Sequence, residues 1–168
     1  DDQQSSIKWS KRRLQDSITT IALKDNLKEE LQQLKQNNKY IVLDVAGRDS
    51  AEFRSALLTA DVLIIPTQPS QTDIEVLPFV LRLVNTAKQV NKNLKTFVVL
   101  NKAPTNNKST EIDAALELLQ QVKSVKTLNT ILRDRKQFRD AMIEGKSVLE
   151  MGSSKAKDEL NEFLVEIL

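Results

Sequence analysis

Asp44 ends the apolar run Tyr40-Ile41-Val42-Leu43, and Gly47 follows it by three positions. A carboxylate at the end of a buried strand can hold a Mg²⁺-bound water. A glycine just beyond it lets a backbone N–H approach a γ-phosphate. The same pair reads equally well as an Asp capping the next helix and a turn Gly. Asn101-Lys102 ends another apolar run, Thr96 to Leu100, where the Asn amide suits an adenine edge and a plain turn suits it better. Pro66-Thr67-Gln68-Pro69-Ser70 before Asp73 reads first as a rigid connection into a helix. Arg133, Arg135, Lys136 and Arg139 crowd seven residues, a pattern fit for phosphates of a nucleotide or of DNA, or for a solvated helix start. Gly145-Lys146-Ser147 is not a phosphate loop: the position five before Gly145 is Asp140, and a helix precedes it. Gly145 reads as a helix stop.

Composition narrows this chemistry. The 168 residues contain no cysteine and no histidine, which removes disulfides, thiolate or imidazole metal sites and histidine triads. Carboxylates, amides, hydroxyls, Lys and Arg remain. A net charge of +2 is too balanced to announce nucleic-acid binding in bulk, and no apolar run is long enough to span a membrane. The opening Asp1-Asp2-Gln3-Gln4 lacks both an initiator Met and a signal-peptide pattern.

Four runs read as strands: Tyr40–Leu43, Val62–Ile65, Thr96–Leu100 and a weaker Thr127–Leu132. The first three are continuous rather than alternating, the pattern of strands buried on both faces. Leucines 27, 31 and 34 share a helical face before the first run. Helical spacing recurs over 50–60, through Leu77, Leu81, Val84 and Ala87, through Ile112, Ala115, Leu116 and Leu119, and from Ala156 to Ile167. Asp49 or Ser50 and Ser109 or Thr110 are the expected N-caps. The alternation predicts a doubly wound α/β layer with a mostly parallel sheet. Its ligands would sit beyond the carboxyl ends of the strands, among loops 44–49, 66–73 and 101–108 and from Arg133 onward.

As an ordered series, these segments resemble the ParA/MinD group of deviant Walker ATPases, and most of all small ParA-type partition proteins. Asp1-Asp2-Gln3-Gln4-Ser5 with Trp9-Ser10 is similar to the D-x-D-P-Q-x-S-x-x-x-W-S segment. Asp44 to Ser50 resembles the Walker B and switch region, and Ala60-Asp61 through Pro66, Pro69-Ser70 and Asp73 the A-D-x-x-x-x-P-x-x-P-S-x-x-D run. Val99-Leu100-Asn101-Lys102 and Arg133 through Val148 complete it.

The resemblance implies roles. Asp1 would position the attacking water, Asp44 bind Mg²⁺ through water, and Gly47 lie in the γ-phosphate switch. Asn101, with Arg133 and Arg135, would lie where adenine is held, and Lys136 and Arg139 are candidate DNA contacts, as are Lys8, Lys11, Arg12 and Arg13. It also implies ATP and Mg²⁺ as cofactors, a homodimer with ATP between subunits, nonspecific DNA and a centromere-binding protein as partners, and a cytoplasmic, nucleoid-associated location without membrane. Two departures stand out. Asp2 replaces a Pro, and K-G-G-x-G-K-[ST] does not occur in the sequence. Residues 1–168 are thus expected to be one ParA-like ATPase domain without its Walker A strand-loop-helix and the following strand. Such a chain would not hydrolyse ATP alone and would be marginally folded, whereas the parent would be an ATPase. The other readings are a nucleotide-free dimerisation module and a MinD-like membrane-associated ATPase. The acidic polar face of the last helix argues against the latter.

Overall fold

The computed structural model describes residues 4–14, 16–24, 27–46, 49–106, 109–122 and 125–168. In chain order the elements are α1 (Ser5–Arg12), α2 (Lys28–Asn37), α3 (Ala51–Thr59), β1 (Val62–Thr67), α4 (Gln71–Lys88), β2 (Lys95–Ala103), α5 (Thr110–Gln120), β3 (Lys126–Arg133), α6 (Lys136–Glu144), a 3₁₀ turn (Val148–Glu150) and α7 (Lys155–Ile167). The expected α/β class is borne out: β1, β2 and β3 pair in that order, all parallel.

Local chemistry sets the helix starts. Ser50, Ser70 and Ser154 each accept a hydrogen bond from the backbone N–H three residues on, which satisfies a donor the helix leaves open. Of the two expected caps before α3, Ser50 fills the role, while Asp49 pairs with Arg54. Ser109 stands at the N-cap of α5 without a side-chain cap bond. Gly145 ends α6 at φ +66°, as its residue type predicts.

The core is aliphatic. Ile74, Leu77 and Leu81 of α4 meet Ile112, Ala115 and Leu119 of α5 over Val98 and Leu100 of β2. A second cluster joins Phe53 and Leu57 of α3 to Val80, Val84 and Ala87 of α4. β2 is the central strand and is buried over most of its length. β1, paired on one side among the described residues, is half-buried and tolerates Pro66, which donates nothing to a ladder.

Two expectations need correction. Tyr40–Leu43 is not a sheet strand. It has no ladder partner among the described residues, and it buries one face instead of two. Ile41, Leu43 and Val45 pack on Leu27, Leu31 and Ala56, whereas Tyr40 and Val42 are 71% and 92% exposed. The run of four apolar residues hid this alternation, because an exposed Val or Tyr looks like a buried one in sequence. The strand expected to stop at Leu100 also continues to Ala103. Its partner register shifts between Leu100 and Ala103, and Lys102 there takes the left-handed φ of +51°, a bulge that absorbs one extra residue.

Helix α7 runs along β3. Residues 128–130 have no register partner in β2, and Glu166 takes the freed N–H groups of Asn129 and Thr130 at 2.8 and 3.0 Å. One helix thus covers an irregular strand with fixed acceptors.

Candidate functional site

The parallel strands place Asn101 and Arg133 at the same end of the sheet. Ala103 pairs with Arg133, two residues beyond Asn101, and Asp134 N–H donates to Ala103 O at 2.8 Å. Asn101 is half-buried beside the strained Lys102. Two of the loops expected to line a crevice thus leave the same end of β2 and β3.

Arg133 and Arg135 converge on one carboxylate. Glu159 of α7, itself 7% exposed, accepts from Arg133 Nη1 at 3.0 Å, Arg133 N–H at 3.2 Å and Arg135 Nη2 at 2.6 Å. Burial pushes the Glu159 carboxyl up, but the hydrogen bonds from Arg135 and Arg133 outweigh it and hold the group below the usual carboxylate range. Arg135 is raised chiefly by the same bond. Two cations over one anion leave a local excess of positive charge. The buried Nε atoms of both arginines have no hydrogen-bond partner among the described residues.

The rest of the basic cluster is paired locally. Lys136 bonds Asp140 at 2.7 Å, and Arg139 bonds Asp134. In the earlier cluster, Arg13 is turned inward with its side chain 5% exposed, in a two-bond pair with Glu150, while Lys8 and Lys11 stand exposed on α1.

Asp44 is not delivered by the sheet. It sits exposed on the extended segment, where Ser6 of α1 donates to its Oδ2 at 2.5 Å. Asp1 and Gly47 lie outside the described residues. An exposed carboxylate with a hydroxyl beside it is an all-oxygen set. This suits Mg²⁺, which keeps several waters and takes one or two carboxylates together with substrate phosphates. No group of three or more His, Cys, Asp or Glu side chains that could cage a metal occurs among the described residues. Asp44 has the chemistry to hold Mg²⁺, and the ion would supply charge for phosphoryl oxygens.

Residues 5–98 match the family described as AAA domain. The chain belongs to that family. It is of the ParA type, as the ordered motifs imply. Over 143 residues it is 27% identical to "Maintenance of carboxysome distribution protein A" of Halothiobacillus neapolitanus, covering 83% of this chain and 65% of that protein. Over 135 residues it is 24% identical to "Sporulation initiation inhibitor protein Soj" of Bacillus subtilis, covering 79% of this chain and 52% of that one. The chain thus spans between half and two thirds of these relatives. Among its described residues no helix is long and apolar enough to cross a membrane.

The sequence reading missed α1 as an element and α7 as the source of Glu159 and Glu166. The second had a signal: both glutamates interrupt the apolar stripe of Ala156, Leu160, Phe163 and Ile167. A carboxylate on the buried face of a helix needs a partner.

Proposed function

We propose that this ParA-type chain belongs to an ATP-dependent partition or positioning protein, whose Mg²⁺·ATP-bound homodimer binds DNA nonspecifically and whose hydrolysis a centromere-binding partner stimulates. One observation carries the reading. Family membership over residues 5–98 coincides with a parallel sheet whose carboxyl end gathers Asn101, Arg133 and Arg135. Two guanidinium groups over one carboxylate leave excess positive charge there, which favours an anionic ligand such as a nucleotide.

In this reading Asp44 holds Mg²⁺, Asp1 orients the attacking water and Gly47 meets the γ-phosphate. Asn101, Arg133 and Arg135 hold the nucleotide, and Lys136 and Arg139 face DNA phosphates. The loop that grips phosphates, K-G-G-x-G-K-[ST], would come from sequence beyond these 168 residues in the same domain. The place of action would be the nucleoid in the cytoplasm.

The test compares Mg²⁺-dependent ATP turnover by residues 1–168 with turnover by the protein extended with its upstream coding sequence. The reading predicts turnover by the extended protein and none by residues 1–168. An upstream sequence without a phosphate loop, or turnover by residues 1–168 alone, contradicts it and favours the dimerisation module or another nucleotide site respectively.

A further inference from the structure

The eight residues of α1 connect two distant parts of the chain. At its start, Ser6 holds Asp44 across 38 residues of sequence. At its end, three donors reach the close of α6. Arg12 Nη1 bonds Met142 O at 3.0 Å, Arg13 Nη1 bonds Gly145 O at 3.1 Å, and Trp9 Nε1 bonds Lys146 O at 3.0 Å. Carbonyls at a helix end lack partners in their own helix, so α1 supplies a C-terminal cap in trans.

That contact is tight. A Cβ on Gly145 would stand 2.5 Å from the Arg12 carbonyl carbon and 2.7 Å from the Arg13 nitrogen. Arg13 lies over the Trp9 ring at 5.0 Å and grips Glu150 through both terminal guanidinium nitrogens. The segment bearing Asp44 is the opposite case. Among the described residues it has no ladder bonds, so no described strand fixes its carboxylate.

We infer that α1 is a positioning helix: it aims the Asp44 carboxylate through Ser6, and its own place is set by the clamp on the end of α6. Ser6 is therefore a positioning residue for Asp44, and Arg13 positions it at one remove. α6 begins with Lys136 and Arg139, so the same helix that fixes Asp44 is fastened to the helix carrying that basic cluster. The inference extends the Mg²⁺ role proposed for Asp44, yet the device can be read without nucleotide.

The experiment is NMR on the full 168-residue chain in the absence of ligand, comparing wild type with S6A, S6T, R13A and R13K, and it reads the Asp44 side-chain carboxyl ¹³C shift together with amide exchange over 142–150. S6A should move the Asp44 carboxyl resonance toward that of a free aspartate, and S6T should restore it. R13A should lower protection at 142–150 and move the Asp44 resonance together. R13K keeps the charge but loses the two-bond fork, and should do the same to a smaller degree. Trp9, the single tryptophan, should change emission in R13A. The inference is overturned if S6A leaves the Asp44 resonance at its wild-type position, or if either Arg13 variant loosens 142–150 while the Asp44 resonance stays in place. None of these outcomes depends on ATP turnover, so failure here and failure of the proposed function are separable.

Discussion

Gly145 shows how much one residue can decide. Its φ of +66° costs a side-chain-bearing residue about 1–2 kcal/mol, and any Cβ would also overlap the α1 backbone. G145A should therefore lose more than that amount in denaturant titration, with raised exchange across 5–13 and 142–150. Glu150 offers a second test at this scale. The Arg13 hydrogen bonds, then the Ser147 N–H, hold its carboxyl at about 2 against the ordinary 4.5. A carboxyl depressed on folding stabilises the fold above its ordinary value, and that contribution is lost as pH falls toward the folded value. The stability difference between wild type and E150Q should hold above pH 4.5 and shrink between 4.5 and about 2. A difference constant through that window would remove Glu150 from the clamp. The type and spacing of Gly145 were legible as a helix stop. Its contact with α1 was not, because closeness between residues 130 positions apart leaves no local pattern.

At the scale of elements, α7 and β3 depend on each other. Removing Glu159 would strand two partly buried guanidinium groups, and E159A should cost about 2–3 kcal/mol, below the figure for a fully buried pair because Arg133 and Arg135 keep some water. E166A should cost less, about 1–2 kcal/mol for unmet donors on the 128–130 bulge. Urea midpoints with unchanged slopes would check both. Helices were the legible elements, because an apolar stripe at helical spacing and a serine cap are local features, as at Ser50. Tyr40–Leu43 looks like a strand in sequence and joins no ladder among the described residues, because a strand is defined by its partner, and four apolar letters carry no partner. The basic cluster was visible too, but Asp134, Asp140 and Glu159, which pair with it, come together only in the fold. If Lys136 and Arg139 nevertheless contact DNA, the double alanine variant should lower the slope of log affinity against log salt by up to about 2. An unchanged slope would shift attention to the exposed Lys8 and Lys11.

At the scale of the whole molecule, a ParA-type sheet carries Asn101 and Arg133 at one end, while Ser6 of α1 donates to Asp44. The placing of Asn101 and Arg133 follows from alternation of strands and helices, which the sequence displays openly. The Ser6–Asp44 contact joins residues 38 positions apart, which it does not display. The central claim is that Asp44 serves Mg²⁺-dependent ATP chemistry. Its most direct measurement is the Mg²⁺-dependent ATP turnover rate of the upstream-extended protein, wild type against D44N, with folding verified by thermal melting. D44N should lower the rate about 10²–10³-fold, the scale of losing one preorganised charge contact at a phosphoryl site, with an unaltered melt. Turnover in D44N within a factor of about two of wild type would contradict it, because no contribution of that size could then rest on Asp44.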